Sequence, residues 1–269
     1  MNPTLQQPFD VRLMNLTASV LFTGCAVLLL AAGLWWLVRN PAFAIGAITV
    51  QGDVSHNSAV TLRVNVTPRL AGNFFTVSLQ ATREAFEAVP WVRQAVVRRE
   101  FPNRLRVLLR EHEAVAFWGA DGDVKLVNSV GEVFEANSGD VEQDRLPRLV
   151  GPEGQSQQVL QMYLAIKPLF EPLDLAIEML ALSAHGSWNA QLDSGARIEL
   201  GRGSEAEVVE RTRRFVQTLT QVTSRYSRRA DAVVSADLRH GDGYALRLRG
   251  VTTGAEAPGE VAKGKRTVR

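Results

Sequence analysis

The sequence predicts an α+β chain: a single N-terminal transmembrane helix, a βααββ domain, then a β-rich domain with flanking helices. Three observations carry this. Leu13 to Val38 contains no charged residue and lies between Arg12 and Arg39. Residues 43–113 order as a strand, two short helices and a β-hairpin. From residue 114 onward, short strands are punctuated by glycine turns and broken by two helices.

Composition limits the alternatives. The chain has 269 residues, 46% hydrophobic and 22% charged, which excludes wholly disordered and multi-pass membrane classes. There are 30 Lys and Arg against 28 Asp and Glu, so no large positive field is available for nucleic acid. A lone cysteine, Cys25, forbids an intramolecular disulfide framework and falls inside the apolar run.

The elements follow in order. Residues 1–12 are a tail and 13–39 the anchor. A helix rises about 1.5 Å per residue, so roughly 20 apolar residues cross a ~30 Å hydrocarbon core. Trp35 and Trp36 sit at the far end, where indoles favour the headgroup region. A cleaved signal peptide is the rival reading, because Ala42-Phe43-Ala44 resembles a cleavage site. The apolar run is longer than the 7–15 residues such a peptide needs.

Phe43 to Gln51 reads as a strand whose alternation slips near Ala47, as a bulge would cause. Ala59 to Val66 fits either helix or strand. Ser78 caps a helix that runs to Val89 and stops at Pro90. Trp91–Phe101 and Arg104–Glu113 are strands joined by Pro102-Asn103; Trp91, Leu105 and Val107 are core candidates.

In the second domain, residues 114–250, strands are expected at Ala114–Trp118, Val124–Asn128, Glu132–Phe134, Glu178–Leu182, Trp188–Leu192 and Arg197–Leu200. Leu146–Gly154 reads as a loop and Val159–Phe170 as a helix. Ser204 and Glu207 form a capping box. The following helix carries Val208, Thr212, Phe215, Leu219 and Val222 as a buried stripe, with Arg211, Arg213 and Arg214 largely solvated. Ala232–Leu238 and Tyr244–Arg249 form a last hairpin around His240-Gly241-Asp242-Gly243. Residues 251–269 read as a disordered tail.

No catalytic set emerges. The four histidines, His56, His112, His185 and His240, show no metal-ligand spacing. Gly201-Arg202-Gly203-Ser204 lacks the lysine and length of a phosphate-binding loop. Arg98, Arg99, Arg104, Arg106 and Arg110 alternate with glutamates, as on a solvated strand face. The expected catalytic, cofactor and metal residues are therefore none.

The layout resembles the bacterial FtsQ/DivIB cell-division family, and its βααββ module resembles a POTRA domain. The matching residues run from Ile45-Gly46-Ala47-Ile48-Thr49-Val50-Gln51-Gly52 through Val89-Pro90-Trp91-Val92 and Val96-Val97-Arg98-Arg99-Glu100-Phe101-Pro102-Asn103. They continue at Val127-Asn128-Ser129-Val130-Gly131-Glu132, Leu146-Pro147-Arg148-Leu149 and Ala236-Asp237-Leu238-Arg239-His240. The ordered series carries the likeness, and one departure stands out: His240 replaces a tyrosine usual in the family.

The resemblance implies a non-enzymatic organiser of septal wall synthesis. It would span the inner membrane once at the division septum, N-terminus inside and both domains periplasmic. Its implied partners are FtsB and FtsL, and other divisome proteins such as FtsK, FtsW and FtsI, with no nucleic acid or small-molecule substrate. If Tyr244–Arg249 ends its sheet, a partner strand could dock there. Arg239 would then pair with a partner carboxylate, and His240, Tyr244, Leu246 and Leu248 would flank the docked strand. Core packing is the competing role for Leu246 and Leu248. A second reading is a transport or outer-membrane assembly factor, since POTRA-like domains serve there too.

Overall fold

A computed structural model describes residues 9–52, 54–120, 125–137, 139, 146–241 and 243–251. Most of the N-terminal tail, the C-terminal tail beyond Val251, Val124 of one expected strand and Asp242 of the hairpin turn lie outside the described residues. The chain divides into two compact units, Met1–His112 and Glu113–Arg269.

Helix α1, Phe9–Val38, opens the first unit and begins four residues before the uncharged run, taking in Asp10 and Arg12. Leu28, Leu29 and Leu30 along it are 70%, 73% and 75% exposed, so it is no core helix. Such a leucine-covered surface is stable in a hydrocarbon solvent and not in water.

The strand expected from Phe43 starts later. Pro41–Phe43 is a single 3₁₀ turn, capped where the Asn40 side chain accepts from the Ala42 N–H at 3.0 Å. Strand β1 is Ala47–Gly52, and its pairing with β3 is unbroken, so there is no bulge. The alternation slips near Ala47 because the residues before it belong to no strand.

The ambiguous Ala59–Val66 is helix α2, capped by Ser58 and burying Leu62 and Val66 four residues apart. Helix α3, Leu79–Glu87, is capped by Ser78 and buries Thr82, Ala85 and Phe86. Strands β2 (Val92–Glu100) and β3 (Arg104–Glu111) complete the module. The sheet order is β1-β3-β2, with β3 parallel to β1 and antiparallel to β2. A register shift between Val92 and Gln94 accounts for the imperfect alternation of β2. Leu105, Val107 and Leu109 of β3 are buried, as is Trp91. Arg104, Arg106 and Arg110 alternate with them on the open face, where Arg106 pairs with Glu100 at 2.7 Å.

At the far end of β3 the Glu111 carboxylate accepts from the backbone N–H of His56 and Asn57, at 3.0 and 3.1 Å, and from the Asn57 amide at 2.9 Å. The His56 ring stacks on Trp91 at 3.9 Å between centroids. Burial alone would raise the Glu111 pKa; the donated hydrogen bonds outweigh it and leave the carboxyl below its ordinary value.

Among the described residues the second unit builds one nine-stranded sheet in the order β12-β11-β10-β9-β8-β7-β4-β5-β6. Its strands are β4 (Ala114–Trp118), β5 (Lys125–Asn128), β6 (Val133–Glu135), β7 (Arg148–Val150), β8 (Ile177–Leu182), β9 (Trp188–Leu192), β10 (Arg197–Gly201), β11 (Val233–Asp237) and β12 (Ala245–Leu248). Strand β7 corrects the expected loop at Leu146–Gly154. It lies between β8 and β4, with Leu149 fully buried, and at three residues it is too short to show alternation.

Helix α4, Ser156–Phe170, starts three residues early, and its Ser156 hydroxyl donates to the Gly131 carbonyl at 2.6 Å. Helix α5, Glu205–Arg225, has the expected capping box of Ser204 and Glu207. Its buried stripe is Val208, Thr212, Phe215 and Leu219, then Thr223 rather than Val222. Thr212 and Thr223 enter the core because each hydroxyl donates to a carbonyl one turn back, at 2.8 and 3.2 Å.

Candidate functional site

Strand β12 is the last strand of the large sheet and pairs only with β11 among the described residues. Its outer side therefore presents backbone N–H and C=O groups with no strand beside them. The register sets Val233 against Leu248, Ala236 against Leu246 and Asp237 against Ala245.

Helix α5 backs this edge. The Tyr244 ring meets the Phe215 ring edge-on at 5.0 Å, and its hydroxyl shares a 2.9 Å hydrogen bond with Thr218. Leu246 is half-buried against the core and Leu248 is only 6% exposed. Tyr244, Leu246 and Leu248 thus share the inward face, as a period of two requires, while Ala245 and Arg247 are exposed. For Leu248 this means core packing.

The hairpin approach holds the charged group. Arg239 is exposed, but its guanidinium is already engaged: Nε and Nη2 donate to Asp237 Oδ1 and Oδ2 at 2.9 and 2.6 Å. The Arg239 backbone N–H also donates to Oδ1 at 3.0 Å. The Arg239 side chain, then its N–H, lowers the Asp237 carboxyl to about 2. A partner carboxylate would join this fork at its remaining donors rather than meet a lone cation. His240 is exposed beside it.

Gly201 makes room for this arrangement. It has φ +83°, and a Cβ there would fall 2.9 Å from Arg239 Cγ and 3.1 Å from Arg211 Nη1. An open groove of about 520 Å³ follows, lined by Arg202, Arg211, Arg214, Arg239, Glu207 and Glu210 among others. Arg211 donates to the Arg202 carbonyl at 2.5 Å, and the Glu207 carboxylate is held in the helix cap by the Ser204 N–H at 2.8 Å. Four guanidinium groups line the groove with Glu207 and Glu210, and Asp237 pairs with one of them, Arg239.

The structure brings Arg239, His240, Tyr244 and Leu246 to one sheet edge. It adds Asp237, Arg202, Arg211, Arg214, Phe215 and Thr218, which sequence reasoning did not include. Phe215 and Thr218 carried a signal, since residues three apart share a helix face. The pairing of β11 with β10, which sets Asp237 and Arg239 near the start of α5, is nonlocal and left none.

Among the described residues no group of three His, Cys, Asp or Glu side chains is placed to hold a metal ion. The family model for the POTRA domain, FtsQ-type, matches residues 43–112. The model for cell division protein FtsQ/DivIB, C-terminal, matches residues 116–239, ending just before the β12 hairpin turn. The chain is 40% identical over 243 residues to cell division protein FtsQ of Burkholderia pseudomallei, covering 90% of this chain and 94% of that one. It is 40% identical over 250 residues to that of Thiomonas arsenitoxydans, covering 91% and 89%. It is 37% identical over 256 residues to that of Bordetella pertussis, covering 89% and 92%. These matches favour division over transport, and with the one lipid-type helix among the described residues they lead to one conclusion. The chain belongs to the FtsQ/DivIB family of bacterial cell-division proteins, as a non-enzymatic, single-pass inner-membrane scaffold with a POTRA domain.

Proposed function

We propose that this scaffold captures a partner strand along the free edge of β12, with FtsB, carrying FtsL, as the partner. The observation that supports this most is the position of β12: it closes the sheet order and leaves one row of backbone groups to be satisfied. An added strand would gain backbone hydrogen bonds there. The groove arginines Arg202, Arg211 and Arg214, with the remaining donors of Arg239, would receive acidic residues flanking it. His240 and Tyr244 would line the entry, and Leu246 the half-buried face beneath. In this reading the N-terminus would lie in the cytoplasm and the folded units in the periplasm at the septum, within reach of FtsK, FtsW and FtsI. The matches at 43–112 and 116–239 support a working division into a POTRA domain, 43–113, and a β-rich domain, 114–250.

The test is a pull-down with the full-length protein from detergent-solubilised membranes. Recovery of FtsB and FtsL with the wild type, and their loss with an edge-strand variant that keeps its melting temperature, supports the reading. Unchanged recovery with that variant rules out the β12 edge.

A further inference from the structure

Four phenylalanines gather at the end of the POTRA domain that follows the anchor. Phe43 meets Phe75 edge-on at 4.9 Å, Phe74 meets Phe75 at 5.2 Å, and Phe74 meets Phe101 at 6.4 Å. Phe74 is buried, but Phe75 is 46% and Phe101 78% exposed. A cluster of large apolar rings left open to water marks a surface with a partner.

Position identifies the partner. The Asn73 side-chain amide donates to the carbonyl of Val38, the last residue of α1. The Phe74 N–H donates to the Phe43 carbonyl at 2.9 Å. The Gly46 N–H donates to the Asn103 carbonyl at 2.9 Å, which brings the β2–β3 turn to the same end. Trp35, Trp36 and Arg39 mark where the helix leaves the hydrocarbon, and Arg39 lies 4.4 Å over the Trp35 ring. The rings therefore stand at the end of the domain where the anchor helix ends.

Their orientation is built in. Arg99 donates to the Phe74 and Val77 carbonyls at 2.7 Å each, and so fixes the loop that presents Phe75. The exposed cations Arg69, Arg99 and Arg104 on neighbouring segments suit an anionic headgroup layer.

We infer that Phe75 and Phe101 insert into the outer headgroup and acyl boundary of the membrane, so that the POTRA domain rests on the bilayer at this end. The domain's tilt is then held by two rings as well as by the anchor.

The test uses the full-length protein in nanodiscs of phosphatidylethanolamine and phosphatidylglycerol. p-Benzoylphenylalanine is placed at position 75 or 101, and at Val60 as a control, which is 71% exposed at the opposite end of the domain. Irradiation should give lipid adducts by mass at positions 75 and 101 at least tenfold above position 60. Equal adducts at all three sites, or none, overturn the inference. The same probes in native membranes separate a protein partner: an adduct to protein in place of lipid at position 101 overturns it too.

Discussion

The guanidinium of Arg239 closes on the carboxylate of Asp237, two residues before it, through two N–H donors at 2.9 and 2.6 Å. With the Arg239 N–H on the same Asp237 Oδ1 at 3.0 Å, this pair forms an Asx turn where β11 ends. It also lowers the Asp237 carboxyl from 3.8 to about 2. A depressed acid contributes fully above its unfolded value and loses that contribution as pH falls through the folded one. The pair is therefore intact at neutral pH and lost between about 4 and 2. A carboxyl-carbon NMR titration should place the Asp237 midpoint near 2, and Arg239→Ala should move it toward 3.8. Because the pair is exposed, melting temperature should change little.

The β12 edge predicts a split between binding and folding. Tyr244→Lys with Leu246→Glu should abolish co-purification of FtsB while the far-ultraviolet circular dichroism stays native. Tyr244→Phe removes only the hydrogen bond to Thr218 and should keep FtsB, at a stability cost of about 0.5–1.5 kcal/mol in urea unfolding. Loss of FtsB with Tyr244→Phe would shift the weight from the strand edge to the tyrosine hydroxyl.

Glu111 satisfies four groups of the His56–Asn57 turn with one buried carboxylate: both backbone N–H groups, the Asn57 amide and the His56 Nδ1 at 3.2 Å. Glu111→Ala strands those groups and should cost about 1–3 kcal/mol of POTRA stability. The Glu111 pKa is lowered in the fold, so its contribution is present above about 4.5 and declines as pH falls below that. Thermal melts from pH 7 to 3 should show a drop in the wild type that is smaller in Glu111→Ala.

Two apolar residues of the POTRA domain make a contrast of burial. Phe86 is 2% exposed between the helices and the sheet, and Leu108 is 45% exposed on the open face of β3. Phe86→Ala should cost about 3–5 kcal/mol. Leu108→Ala should stay within about 0.5 kcal/mol. Equal losses in denaturant unfolding would mean that the open face is covered.

Much of the fold was legible because its signals are local. Ser78 and Ser204 each satisfy an N–H at their own helix start, so a serine before an apolar period was enough there; Ser58 caps α2 in the same way, yet Ala59–Val66 fitted helix and strand alike. Leu105, Val107 and Leu109 alternate with arginines over one strand, and that alternation is the sheet's inside and outside. The site was only half legible. Arg239 and Tyr244 could be named, but Tyr244's partner Thr218 depends on how a loop and a helix meet, and the Asp237–Arg239 pair, though local, depends on the turn the chain takes after β11.

The length of the uncharged run between Arg12 and Arg39 by itself determined that this segment is an anchor, because lipid admits a helix only if it is apolar and long enough. Caps and periods likewise determined the kinds of most elements that follow it. The tertiary structure decided the rest: that Arg148–Val150 is an inner strand, that β12 ends its sheet, and that Phe75 and Phe101 lie beside the end of the anchor. Strand order and ring placement arise from hydrogen bonds and contacts between segments far apart in sequence. No stretch of residues read alone contains the partner that completes them.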